Sequence, residues 1–293
     1  MYKSLADAIR DAEARNITLS AAALAAESED SGRPVADIRA TLGRALGVMR
    51  GAVSQGLVGD LYSASGLVGG DAAKRLTGPA GPLAGTPFRD ILARALAVQE
   101  VNAAMGVIVA APTAGGAGVL PAVLTGLATA RQIDDERVID ALACAALIGA
   151  VIAERASLSG AEGGCQAETG SGAAMAAGAA TEMLGGTPTQ CGHAVALAMQ
   201  GTLGLVCDPL GGLVELPCVF RNATGSAIAL AGIEMALAGI TFAIPVDEVI
   251  DVMGEIGDSM DVRYRETAGG GLAATHTGRR LAKERLYQIK KAT

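Results

Sequence analysis

The chain lacks tryptophan altogether, and only four tyrosines and three phenylalanines occur in 293 residues. Base-stacking platforms for single-stranded nucleic acid are therefore missing. The net charge of −7, with no stripe of Lys and Arg, removes the electrostatic footprint that a phosphate backbone requires. With so few rings, the core must be filled by Leu, Ile, Val and Met and by backbones that approach closely, which the 40 glycines permit. Sustained period-2 alternation between turn residues is also lacking, so the fold class expected is all-α. Met1 to Glu13 is charged and without the apolar run of a signal peptide, which predicts a cytoplasmic location and reduced thiols. Five cysteines then read as ligands or free thiols rather than a disulfide framework.

Long unbroken apolar helices are wanting too. Val101 to Ala130 carries no charge over 30 residues, enough to span a bilayer. It is interrupted by Pro112, Gly115, Gly116, Gly118 and Pro121, so buried helices are expected rather than a membrane span. A transporter or membrane scaffold is the non-enzymatic alternative that these runs raise.

The whole chain, 1–293, reads as one helical domain. Residues 1–58 form a helical lead-in, with Ile38, Leu42, Leu46 and Met49 on one face. Thr77 to Pro87 is a loop of prolines and glycines. The central core spans 88–278. Within it, Phe88 to Ala110 reads as a helix stopped by Pro112, and Ala111 to Gly118 as a glycine-rich loop before Leu120 to Ala130. That loop is either a helix-to-helix turn or a set of N–H groups presented to an anion. It lacks the Lys-Ser/Thr ending of a P-loop. Asp134, Asp135 and Glu136 open a helix to about Ser157, Thr187-Pro188 opens another to about Leu205, and Pro245 to Met260 forms a third. A charged helix, 279–293, closes the chain.

Three cysteines stand where the backbone turns. Cys165 follows Gly163-Gly164, Cys207 precedes Asp208-Pro209, and Cys218 follows Pro217. Cys165 and Cys218 each open an Ala-rich helical run, where free N–H groups and the dipole favour a thiolate. The hypothesis is one metal centre on Cys165, Cys207 and Cys218, although the spacing is not that of a zinc finger. Cys144 sits on an apolar helix face and reads as packing, as does Cys191. His193 and His276 are the two imidazoles able to serve as general base, and neither has a carboxylate partner in a local motif. Glu162 and Glu168 flank Cys165, able to orient a ligand or cap a helix start.

Taken together, Ser159-Gly160-Ala161-Glu162, Gly164-Cys165-Gln166, Cys207-Asp208-Pro209, Gly211-Gly212-Leu213-Val214, Pro217-Cys218 and Arg221-Asn222 resemble the iron–sulfur-dependent L-serine dehydratases. Ala111 to Gly115 and Gly118 to Leu124 match a further block, as does Gly270 to Thr275. The likeness extends over the whole chain and points to the alpha subunit of the two-subunit bacterial form. It implies a helical catalytic domain with a [4Fe–4S] cluster on Cys165, Cys207 and Cys218, an open iron acting as Lewis acid on the hydroxyl of L-serine, and no pyridoxal phosphate. It further implies that the histidine base resides on a beta subunit. The loop from Pro112 to Gly116, through Thr113 and Gly115, and the segment Ser159, Gly160 and Glu162 are then expected to contact the substrate carboxylate. Two departures are visible. His276 occupies a position where the family more often has proline, and the chain does not end in the cysteine with which some single-chain relatives are expected to cap the open iron. A cysteine-desulfiding lyase of related architecture is the enzymatic alternative.

Overall fold

The structure is a computed structural model that describes residues 2–78 and 85–292, with side chains up to Arg285. The centre of the loop foreseen at 77–87 thus lies outside the described residues. The helices are α1 (Leu5–Ala14), α2 (Leu19–Ser31), α3 (Val35–Leu57), α4 (Asp71–Thr77), α5 (Thr86–Ala103), α6 (Val119–Arg131), α7 (Asp135–Arg155), α8 (Gly160–Gly163), α9 (Ser171–Met183), α10 (Pro188–Gln200), α11 (Cys218–Leu237), α12 (Val246–Ser259) and α13 (His276–Ala292). Among the described residues there is no strand, only two isolated bridges, Tyr62 with Gly69 and Cys207 with Arg265. The all-α expectation holds.

Helix α9 is the axis of the molecule. Its sequence, Ser-Gly-Ala-Ala-Met-Ala-Ala-Gly-Ala-Ala-Thr-Glu-Met, offers nothing wider than methionine, and every residue but Glu182 is buried. Helices α6, α7, α10 and α11 pack around it. A methyl group on Gly178 would lie 2.5 Å from Ile148 Cδ1 and 2.8 Å from Val195 Cγ2. Such contacts lie inside van der Waals distance, so glycine there sets how closely α7 and α10 approach. The core then runs outward through Leu, Ile, Val and Met of α1, α2, α6, α7, α10 and α12.

Helix starts follow the polar signals in the sequence. Asp134 caps α7 by accepting from Arg137 N–H, and Thr187 and Gln190 form a capping box on α10 with Pro188 at the first position. The buried carboxylate of Asp247, in the first turn of α12, caps α1 from a distance, accepting from Leu5 N–H at 2.8 Å, Ala6 N–H at 3.0 Å and the Ser4 hydroxyl at 2.9 Å. Two helix ends were expected later than they fall. Helix α10 stops at Gln200 rather than about Leu205, where Gly201 and Gly204 free the chain. Helix α5 stops at Ala103, not Ala110. Met105 takes a positive φ of 62°, and Gly106 N–H closes back on Val101 carbonyl at 2.8 Å. That ending satisfies the last carbonyls and diverts Val107-Ile108-Val109, whose β-branched side chains favour a helix least. No helix among the described residues is long and apolar enough to cross a membrane.

Candidate active site

Each of the three cysteines arrives on its own segment. Gly164, with φ of +74°, reverses the chain after α8 and hands it to Cys165. A buried π-helical turn, Gln166–Gly170, follows and runs into α9. Gln166 ties this turn down on three sides. Its N–H donates to Leu205 carbonyl at 3.0 Å, its side-chain amide donates to Met253 carbonyl at 2.9 Å, and its side-chain oxygen accepts from Gly204 N–H at 2.9 Å. Cys207 is clamped by its backbone, donating to Tyr264 carbonyl at 2.8 Å and accepting from Glu266 N–H at 2.9 Å. Cys218 is the first residue of α11, and the chain before it is anchored by buried Glu215, whose carboxylate accepts from the hydroxyls of Ser63 and Ser65.

The three thiols are buried and close enough to act on one another. Burial pushes the Cys207 and Cys218 thiols well up from their ordinary range, and Cys165 and Glu168 push both further. Cys165 is raised by burial too, with the Thr169 hydroxyl, 3.2 Å from its sulfur, and Arg221 pulling the other way. A pocket of buried donors that disfavour one another's charge is a pocket suited to a cation. Three thiols are soft donors and could hold a soft metal centre. Among the described residues no three His, Cys, Asp or Glu side chains close on a single ion.

Beside the sulfurs stands Glu168, in the π-helical turn. Its Oε1 accepts from the Thr113 hydroxyl at 2.7 Å, and its Oε2 lies 3.8 Å from Cys207 Sγ. Burial raises its pKa, an effect that the Thr113 bond partly offsets. Two glycines make room for this carboxylate. A Cβ on Gly115 would lie 2.8 Å from Glu168 Oε1, and one on Gly160 would lie 2.6 Å from Oε2 and 3.2 Å from Cys207 Sγ.

Asn222, fully buried on α11, links the glycine-rich loop to the cysteine helix. Its amide donates to the carbonyls of Gly115 at 2.7 Å and Cys218 at 2.9 Å, and its oxygen accepts from Gly118 N–H at 2.9 Å. Its neighbour Arg221 is the cation facing the thiols. Arg221 bonds Val206 carbonyl and pairs with buried Asp208, both at 2.8 Å. Burial works against the Arg221 charge, but Cys165 and Asp208 outweigh it and hold the pKa up. Asp208 Oδ2 in turn accepts from Leu272 N–H at 2.6 Å, bringing the triple-glycine segment to the site.

Of the residues anticipated for the site, Cys165, Cys207, Cys218, Thr113, Gly115 and Gly160 are gathered here. Ser159 is half-buried beside them, at the start of α8. Glu162 is not with them: it is exposed and its carboxylate accepts from the Ser157 hydroxyl at 2.6 Å. Glu168 holds the place at the sulfurs, and the π-helical turn is what carries it inward. Its partner Thr113 is 55 residues away, so no local pattern announces the pair. His193 Nδ1 accepts from Phe242 N–H at 3.3 Å and fastens the α11–α12 connection, while His276 is exposed at the start of α13. Among the described residues no hydrogen bond joins either imidazole to a cysteine or Glu168. Cys144 and Cys191 lie in the main core near Glu182.

A family model described as serine dehydratase alpha chain matches residues 14–273. The probable L-serine dehydratase alpha chain of Bacillus subtilis (strain 168) is 46% identical over 286 residues, covering 97% of this chain and 95% of that one. The L-serine dehydratase alpha chain of Peptoniphilus asaccharolyticus is 47% identical over 203 residues, 68% of this chain and 70% of the relative. The L-serine dehydratase of Streptomyces coelicolor (strain ATCC BAA-471 / A3(2) / M145) is 41% identical over 266 residues, which cover 89% of this chain but 58% of the relative.

Proposed function

The chain belongs to the serine dehydratase alpha-chain family, and from that premise we propose that it converts L-serine to pyruvate and ammonia as the alpha subunit of a two-chain cytoplasmic enzyme. The observation that carries this reading is the meeting of three buried thiols from separate segments beside the Glu168–Thr113 pair. Cys165, Cys207 and Cys218 would hold a [4Fe–4S] cluster, one thiolate to each of three irons. When bound, the cluster supplies at its fourth iron a Lewis acid for the substrate hydroxyl. Pyridoxal phosphate, and a Schiff-base lysine with it, is not required.

The chain's own residues position and enclose. The backbone N–H groups of Thr113 to Gly116, with Ser159 and Gly160, offer donors to the substrate carboxylate. Glu168, held by Thr113 and screened from water, fills the polar role first given to Glu162. Asn222 fixes the loop relative to Cys218. Elimination of water removes the β-hydroxyl and the α-proton, leaving aminoacrylate. This tautomerises to an imine, and water then releases ammonia and pyruvate. Taking the α-proton requires a positioned base. We assign it to the beta subunit, because His193 is committed to Phe242 and His276 lies exposed at the start of α13.

The test is anaerobic purification with iron and sulfide analysis, followed by pyruvate assay with and without the beta chain. About four irons per chain are expected. Cys165→Ser, Cys207→Ser and Cys218→Ser should each lose the visible absorption, and Cys144→Ser should keep it. Full iron retention in Cys207→Ser would sink the ligand assignment. Sulfide from L-cysteine outpacing pyruvate from L-serine would favour a desulfiding lyase.

A further inference from the structure

The residues between α5 and the glycine-rich loop have an unusual standing. Gly106 is the last to make a main-chain bond, and from there to Thr113 no N–H group is hydrogen-bonded within the described residues. The carbonyls of Ala104 to Thr113 are likewise without a partner among the described residues. Buried backbone polar groups are ordinarily paired, whereas an accessible run without partners in its own chain can serve as a template for another chain. The side chains here are those of a strand rather than a solvated loop. Ile108 packs inward with Ala52, Val53, Val98 and Val101, and Val109 packs on the main core. Met105 and Val107 point outward, 88% and 75% exposed. Val58 and Tyr62 are exposed as well, next to Leu57 and Leu61, which share the inner cluster with Ile108. The result is an apolar outer surface along an unpaired backbone.

We propose that Gly106 to Ala111 is a docking edge that receives an extended, apolar segment of the beta subunit as an added strand. Main-chain bonds supply the pairing, and Met105, Val107 and Tyr62 supply the side-chain contacts. Two observations select this occupant. The Streptomyces coelicolor relative spans 89% of this chain with 58% of its own length, so in that protein a large further portion is tied to the equivalent of this one. The edge also leads within a few residues to Thr113 on Glu168, so whatever docks arrives at a site whose base is missing. A second copy of this chain would bring only the same two histidines. The inference rests on the two-chain reading above and adds to it a place and a mode of contact.

Hydrogen exchange on the full chain, alone and in complex with the beta chain, tests it. Amides from Val107 to Ala111 should slow at least tenfold in the complex. Val107→Asp should weaken assembly at least tenfold, and Val107→Pro, which deletes one N–H, should weaken it while Val107→Ala binds nearly as the parent. Unfolding midpoints should stay unchanged in all three, since the side chain is in solvent. A complex that forms with these amides unprotected, or that binds Val107→Asp as tightly as the parent, overturns the docking edge and leaves the two-chain reading intact. Full serine turnover by the isolated chain, with no complex formed, defeats both. Protection that arises from self-association without the beta chain would identify a second copy as the occupant and overturn the assignment.

Discussion

Replacing Asn222 by alanine isolates the strongest local constraint on the site. The side chain is fully buried and makes three hydrogen bonds. Cys218 carbonyl lies inside α11 and keeps its helical partner, but Gly118 N–H and Gly115 carbonyl have no other partner among the described residues, and both residues are buried. An orphaned buried group costs about 1–3 kcal/mol, so the two together should cost about 4 kcal/mol. For a chain of this size that corresponds to a fall in melting temperature of about 6–7 °C. The assay is urea unfolding of the metal-free, reduced protein, with the midpoint compared at constant slope. Thr224→Ala, which loses one exposed bond to Phe220 carbonyl, is the control and should move stability by less than about 0.5 kcal/mol. Asn222→Asp should be at least as damaging as alanine. It keeps the acceptor for Gly118 but sets a carboxylate oxygen against two carbonyls. A loss below about 1 kcal/mol in Asn222→Ala would refute the reasoning, because it would mean that both orphans find new partners.

Three further outcomes are expected. Gly160→Ala should displace Glu168 from Thr113 and reduce serine turnover at least tenfold while circular dichroism stays helical, since the added methyl falls 2.6 Å from Oε2; parental activity would show that the carboxylate has room to move. Asp247→Ala should lower stability by about 2 kcal/mol by uncapping α1, read from the urea midpoint. Burial raises the pKa of Glu182, the carboxylate that accepts from Ser20 N–H. Its contribution is then fully present below the ordinary carboxylate range and is lost as pH rises through the raised folded value. Glu182→Gln, which keeps an acceptor for Ser20, should flatten that decline; an unchanged pH profile would discount the shift.

Much of this was legible where chemistry is local. Asp134 before an acidic first turn and Thr187-Pro188 before an apolar run both mark the helix starts observed, because capping is settled within four residues. The turning glycine before Cys165 and the proline before Cys218 likewise marked the cysteines that come together. The end of α5 was not legible, because an uncharged run from Val101 to Ala110 fits a buried helix as well as a helix followed by an edge. Glu162 and Glu168 could not be told apart either. They lie six residues apart on either side of Cys165, and only the π-helical turn and a threonine 55 residues upstream decide which one meets the sulfurs. Asn222 stood in a block of recognisable sequence, yet its work depends on Gly115 and Gly118, over a hundred residues earlier.

The narrowness of α9 has a consequence for how the sequence can drift. A helix built mainly of Ala, Gly and Ser and buried at every residue but Glu182 has no other position at which a larger residue is absorbed by bending into solvent. At Gly178 even one methyl meets two neighbouring helices. Enlargement anywhere along it would have to push apart α7, α10 or α11, and α11 carries Cys218 at its first residue. Substitution on this helix should therefore be tolerated only in compensating sets, one residue growing as its neighbour shrinks. A mutational scan would then find the least permissive stretch of the chain to be the one with the smallest side chains and no chemistry of its own.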